Sequence, residues 1–373
     1  MVGLIIASGT EYAGGSFFPL EPERMPSHTA LIVGAHGVIG SQLTRHLARQ
    51  PDWSIVTASR RGGDANGLHH ALAVDLLDRS SSRLALREAR EVTHVFYTAY
   101  QDSPTWPGLL GPNMTMLENL LDGLLPVAHG LRHVSIMQGY KVYGAHLGPF
   151  RTPAREDDPP ILPTEFMTAQ QRLLERVGES AAWTWSALRP AVVGGDAVGN
   201  PLNLALAIAV YASVSKALEV PLRFPGSAQA YTRLIEFTDA NLLANAAHWA
   251  ATDAPGNQAW NIGNGDLVRW CDLWPRLAAW FGMEAAPPMA MSLAEVMPDR
   301  TGTWDALRER HGLPPLPMDH VAAWPFADFV FSWTWDMFGD GSKARRAGFH
   351  AYEDTAGMFF RLFARFRECG IIP

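Results

Sequence analysis

Cysteine, lysine and charge are all scarce in this chain. Two cysteines in 373 residues, Cys271 and Cys369, cannot build a disulfide framework and point to a reducing compartment. The only lysines are Lys141, Lys216 and Lys343, and the net charge is −7, so no basic patch is available for nucleic acid or anionic lipid. No run approaches the about 20 apolar residues that span a bilayer. The short apolar stretch from Val2 to Ala7 has no basic residues before it and does not read as a secretory signal. A cytoplasmic protein without membrane or nucleic-acid partners is expected. There is no HExxH and no Cys/His ligand spacing, so no metal is expected, and no GxSxG elbow marks a serine hydrolase.

Apolar residues, by contrast, are plentiful. Hydrophobic residues make up 47% and charged ones 18%, a globular balance with ample material for a core. Thirteen Trp and 17 Phe point to an apolar pocket in addition to that core. Residues 1–28 are set aside as an N-terminal extension, with Met25 as an alternative start.

From Thr29 onward, short apolar runs alternate with amphipathic stretches. TALIVGA, WSIVTAS, ALAVDLL, THVFYTAY, LRHVSIMQG and WTWSALRP read as strands buried on both faces of a parallel sheet. Helices are expected between them, at Val38 to Gln50, over SSRLALREAR, from Asn113 to Gly130 and from Thr164 to Ser180. This alternation predicts an α/β fold, a Rossmann-type doubly wound sheet over 29–195 that shares later elements. Residues 196–373 are expected to form mainly a smaller helix-rich substrate lobe, with short strands near Tyr231 and Trp260.

Three segments carry chemistry. Gly34-Ala35-His36-Gly37-Val38-Ile39-Gly40 follows the first strand and opens a helix, the context in which GxxGxxG binds a dinucleotide. The first glycine allows the tight turn, the second a close approach to pyrophosphate, and the third close packing of helix on strand. Ser59-Arg60-Arg61 ends the second strand, where an NAD site would carry Asp or Glu for the ribose 2′-hydroxyl. Two guanidinium forks suit a 2′-phosphate instead, so NADPH/NADP+ is the expected cofactor. Asp75 and Leu76 follow the third strand and are placed against the adenine. The third segment runs from Met137 to Gly144 at the end of the fifth strand and contains Gln138, Tyr140, Lys141 and Tyr143. Lys141 there can bond the nicotinamide ribose and favour an oxyanion on the substrate. By the same rule of strand ends, Ala99, Tyr100, Pro190 and Val192 fall on the cofactor side.

These segments together resemble the progesterone 5β-reductase/iridoid synthase-like family of extended short-chain dehydrogenase/reductases. The likeness runs collinearly from Ala30 to the C-terminus. It rests on GAHGVIG, ASRR, VDL, THVFYTAY, MQGYKVYGAHLGPF, LRPAVVGGDAVGNPLNLALAIAVYA and FVFSWTWD with SKARRAGF. It implies an NADPH-dependent reductase of activated C=C bonds in a hydrophobic small molecule, and a homodimer. Tyr100 and Phe150 would be aromatic pocket contacts, and the 324–338 aromatic cluster would belong to the substrate lobe. The proline-rich segment from Gly144 to Pro163 would form a wall or lid.

One departure from the family bears on mechanism. Its catalytic tyrosine, in an Asn-Phe-Tyr segment, is matched here by Glu165-Phe166-Met167, and Gln171 stands where the family usually has an acid. Three expectations follow. Tyr140 or Tyr143, or a water, could replace the lost phenol in enone reduction. Alternatively, the protein could be an imine or carbonyl reductase lacking the usual tyrosine, since a protonated imine is already cationic and accepts hydride without a phenol. Otherwise the chain binds NADP(H) without turnover.

Overall fold

In a computed structural model the protein is described over residues 27–63, 69–160, 165–200 and 202–373. Most of the N-terminal extension, residues 161–164 of the proline-rich segment and the start of the helix expected at Thr164 lie outside these residues.

Seven strands form one parallel sheet: β1 (His28–Val33), β2 (Trp53–Ser59), β3 (His70–Ala73), β4 (His94–Tyr97), β5 (His133–Met137), β6 (Thr184–Pro190) and β7 (Gln258–Ile262). Their spatial order is β3-β2-β1-β4-β5-β6-β7, so the winding direction reverses beside β1. The strand expected near Trp260 is thus the seventh strand of this sheet and pairs with β6 through Trp260 opposite Leu188. Tyr231 itself ends a single helical turn, Ala228–Tyr231, which Ser227 caps by accepting from the Ala230 N–H, and the short strand expected near it follows at Leu234–Ile235.

Alternation along each strand divides the core. Leu31 and Val33 of β1 pack on one face with Val95, Tyr97, Val134 and Ile136. They meet α2 (Arg79–Ala85), α3 (Leu110–Leu124) and α4 (Phe166–Gly178) through residues such as Leu86, Leu117, Leu120 and Leu174. Ala30 and Ile32 face the other way, against α1 (Val38–Leu47) and α6 (Ala240–Thr252). The helix α5 (Leu204–Ala217) is buried nearly all round from Leu204 to Ser215, which marks it as the central helix of the remaining lobe. Around it lie α7 (Trp270–Trp280), α8 (Thr301–His311), α9 (Trp324–Phe331) and α11 (Thr355–Glu368), whereas α10 (Ser342–Arg346) packs on β7 of the sheet. In the lobe's core Phe224, Trp270, Trp274 and Phe331 meet with centroids 5.2–5.8 Å apart, edge to face except for the tilted Phe224–Trp270 pair.

No helix among the described residues is long and apolar enough to cross a membrane.

Candidate active site

The carboxyl ends of β1 to β6 open into one cleft of about 720 Å3. At its centre is the turn between β1 and α1. Gly34 has φ +85°, and a Cβ there would lie 2.9 Å from the Ala99 backbone nitrogen. Gly40 does not line the cleft. It lets α1 lie on the turn, since a Cβ would overlap the Gly34 carbonyl and come within 2.8 Å of Thr98 Oγ1. Gly37 caps α1 without a side-chain hydrogen bond, and the first helical turn holds no acid. The free N–H groups of that turn therefore form an anion cradle at the positive end of the helix.

From this cradle the cleft passes His36, Val38 and Ile39 and reaches Arg60, Arg61, Asp75 and Leu76 at one end. Both arginines are exposed, and neither hydrogen-bonds another described residue. The Asp75 carboxylate is occupied locally by the Leu77 N–H at 3.0 Å. In the other direction the cleft passes Ala99, Tyr100, Gln138, Lys141, Pro190 and Val192. An uncapped helix start, glycine backbone and two unpartnered guanidinium groups fit a dinucleotide.

Beyond Lys141 the lining turns apolar. Phe166 and Met167 begin α4, and Phe326, Phe329, Trp333 and Met337 face them from the helical lobe. The aromatic 324–338 segment splits by helical spacing: Trp324, Ala327, Val330 and Phe331 fill the core, while Phe326 and Phe329 reach the cleft.

Lys141 sits in a single 3-10 turn, Tyr140–Tyr143, just after β5. Its ammonium lies over the Trp106 ring, 4.5 Å from the centroid, and hydrogen-bonds no described residue. Burial lowers its pKa, and the carboxylates of Glu165 and Asp102 oppose that shift. Glu165 caps α4 by accepting from the Met167 and Thr168 N–H groups, each at 3.0 Å.

The two tyrosines expected to replace the missing phenol are otherwise engaged. Tyr140 donates its O–H to buried Glu236 at 2.6 Å, and the same carboxylate oxygen accepts the Gly339 N–H at 3.0 Å. Burial pushes the Glu236 carboxyl up to about 7. Tyr143 lies outside the cleft lining. It donates to Asn261 Oδ1 at 2.6 Å and accepts from Arg189 at 2.9 Å, while burial holds its hydroxyl at about 12. Tyr140 itself lines the cleft, but its hydroxyl, like that of Tyr143 among the strand residues Arg189 and Asn261, is held by a polar partner. Tyr100 lines the cleft but donates to Asp102 at 3.0 Å.

Gln171, at the family's usual acid position, accepts from Arg189 at 3.0 Å. The buried guanidinium is otherwise met by Gln138 Oε1, the Tyr143 hydroxyl and the Glu156 carbonyl, all neutral. Phe150 is not in the cleft: it packs against the core of the helical lobe. The described part of the proline-rich segment is not a lid either. Backbone bonds tie Ala154 to Phe338 and Asp340, and only His146 reaches the cleft. Sequence reasoning did not single out His146, Glu236, Glu165 or Trp106. His146 stands within the quoted YGAHLGPF segment, where a titratable side chain near Lys141 was the available signal.

The profile of the PRISE-like Rossmann-fold domain matches residues 69–373. The chain belongs to this family. It is 30% identical over 366 residues to (S)-8-oxocitronellyl enol synthase CYC2 of Camptotheca acuminata, covering 92% of this chain and 93% of that one. Identity to the 3-oxo-Delta(4,5)-steroid 5-beta-reductase of Arabidopsis thaliana is 28%, over 95% of both chains. The short chain dehydrogenase gsfE of Penicillium aethiopicum is 30% identical, over 92% of this chain and 99% of its own. Among solved structures, UDP-glucose 4-epimerase of Thermus thermophilus, a complex with NAD, superposes with a TM-score of 0.63 at 19% identity, covering 91% of this chain and 99% of that one. That likeness shows the Rossmann fold. This PRISE-like protein is an NAD(P)-dependent oxidoreductase of the short-chain dehydrogenase/reductase type.

Proposed function

We propose that this PRISE-like protein reduces an activated C=C bond in a hydrophobic enone or enal, with NADPH as the hydride source. One observation carries the reading: a single cleft joins the uncapped start of α1 and two unpartnered arginines to Lys141 and then to an apolar aromatic wall. A reduced nicotinamide bound along this cleft would supply the hydride. Arg60 and Arg61 would hold the 2′-phosphate as charge-assisted donors, and the N–H groups of α1 would hold the pyrophosphate. Lys141 would fix the nicotinamide ribose and make the reaction end of the cleft positive, favouring charge on the substrate oxygen. Phe166, Met167, Phe326, Phe329 and Trp333 would bind the carbon skeleton and exclude water. The names of the relatives from Camptotheca and Arabidopsis, an oxocitronellyl enol synthase and a 3-oxo-steroid reductase, support an oxo compound as substrate.

A second reading rests on Met167, Glu165 and Asp102. Hydride transfer to an iminium ion needs no oxyanion donor, and two carboxylates near Lys141 suit a cationic substrate. NADPH oxidation measured side by side with a small enone, a preformed cyclic imine and a ketone separates these cases. Turnover of the enone supports the first reading, and turnover of the imine alone replaces it with the second. Binding of NADPH without turnover of any of the three would favour a non-catalytic cofactor-binding protein.

A further inference from the structure

His146 follows the Lys141 turn and is the only residue of the described segment 144–160 that lines the cleft. Its ring leans on Trp106, with centroids 4.6 Å apart and planes tilted by 58°. Trp106 is held in turn between the Lys141 ammonium, at 4.5 Å, and Phe329, at 5.9 Å. The imidazole is thus mounted on the aromatic plate that also supports Lys141.

The two ring nitrogens differ in surroundings. Nδ1 is sealed from solvent and has no hydrogen-bond partner among the described residues. Nε2 also bonds no described residue but is not among the sealed atoms, and the ring belongs to the cleft lining. A proton on Nδ1 would be a buried N–H without an acceptor, at a cost of about 1–3 kcal/mol. Buried orphan N–H groups are also rarer than under-satisfied acceptors. The proton therefore belongs on Nε2. Burial and the nearby Lys141 charge hold the ring's pKa at about 4, so the imidazole is neutral at physiological pH.

Several donors of the cleft lining are engaged elsewhere, and the one unpartnered indole N–H of the lining among the described residues, that of Trp333, is sealed from solvent. Tyr100 donates to Asp102, Tyr140 to Glu236, and the Gln138 amide to the Met167 carbonyl and Gln171. The methionine thioether offers no donor. We propose that the Nε2–H of His146, with the Lys141 ammonium beside it, receives the carbonyl oxygen of the substrate and supplies the hydrogen bond that Met167 cannot give. This inference rests on the hydride-transfer reading above. Hydride adds to the β-carbon of the enone while the reduced nicotinamide is oxidised. The C=C electron pair moves to form a new double bond to the carbonyl carbon, and the carbonyl pair settles on oxygen. The Nε2–H stabilises this enolate without transferring its proton, and water then protonates the α-carbon. A neutral imidazole donor suits this step because it meets the growing charge without itself having to ionise.

The test combines turnover with a spectroscopic signature. His146→Phe keeps an aromatic ring against Trp106, and His146→Gln restores an N–H donor. With an enone that the wild type reduces, the phenylalanine variant is expected to lose about a hundredfold to a thousandfold in kcat. Its NADPH dissociation constant should stay within about twofold, since no cofactor contact is removed, and the glutamine variant should recover at least about tenfold of the lost rate. Independently, 15N-histidine spectra of the wild type, assigned by difference from His146→Phe, should show the Nε2–H tautomer at neutral pH. Adding a saturated cyclic ketone to the NADP+ complex should move that resonance. An Nδ1–H tautomer, or full turnover in His146→Phe, overturns the proposal. If the wild type reduces no enone, the hydride-transfer reading fails, and the ketone titration still decides the donor: a shifted His146 resonance supports it, and an unmoved one refutes it.

Discussion

Glu236 joins the turn that carries Lys141 to the helical lobe, and replacing it gives a sharp test of the physical account. Its carboxyl is buried, accepts from Tyr140 and Gly339, and titrates at about 7 instead of the ordinary 4.5. Burial is the main cause, with Asp266 acting in the same direction, while the bonds from Tyr140 and Gly339 and the charge of Arg345 oppose it. The folded state thus retains a proton that the unfolded chain releases. The neutral form's stabilising contribution is fully present below about 4.5, is lost as pH rises towards 7, and changes little above that. At about 1.4 kcal/mol for each pH step, the loss across this window is about 3 kcal/mol. Glu236→Gln keeps the shape and an accepting oxygen but cannot ionise. Its stability relative to the wild type should therefore rise by up to about 3 kcal/mol between pH 5 and pH 8. Urea denaturation of both proteins at the two pH values, followed by tryptophan fluorescence, measures this double difference and cancels every other titrating group. Parallel pH dependence in the two proteins would refute the assignment of a buried, protonated Glu236.

Three further outcomes follow from the cleft. Replacing Arg60 and Arg61 together by Ala should weaken NADPH binding by at least about tenfold while leaving NADH nearly unchanged, because each charge-assisted bond to a 2′-phosphate is worth about 1.5–3 kcal/mol. Fluorescence titration with the two cofactors checks this, and equal losses would remove the phosphate role. Lys141→Met keeps the aliphatic stem over Trp106 but removes the ammonium, so kcat/KM should fall about a hundredfold; steady-state kinetics giving an unchanged value would exclude Lys141 from the reaction. Gly40→Ala forces a Cβ between the Gly34 carbonyl and Thr98. Overpacking of about 1–3 kcal/mol outweighs a helix-propensity gain of about 1, and calorimetry should show Tm lowered by a few degrees.

The cofactor half of the cleft was legible because its parts are local in sequence. A strand, a glycine turn and a helix over residues 28–47 position the cradle, and each strand end brings its next few residues to the same edge. The substrate half depends on distant partners. Tyr140 and Tyr143 looked available in the sequence, yet their hydroxyls are taken by Glu236 and Asn261, 96 and 118 residues away. Phe150 looked like a pocket residue because its LGPF segment matches one where the family places an aromatic contact, but here it packs against the core of the helical lobe. The aromatic cluster on α9 was ambiguous for a related reason: helical spacing shows two faces, and only the packing of α9 against α5 decides which is buried. His146 escaped notice because its significance lies in which ring nitrogen is sealed, a property of the surrounding packing.

The most direct measurement is the fate of a labelled hydride. The protein would be given NADPH deuterated at nicotinamide C4, on the transferable face, with a small cyclic enone, and the product analysed by mass spectrometry and NMR. One deuterium at the β-carbon of a saturated ketone is the predicted result. Deuterium on a carbinol carbon, or no deuterium in any product, would contradict enone reduction in this cleft.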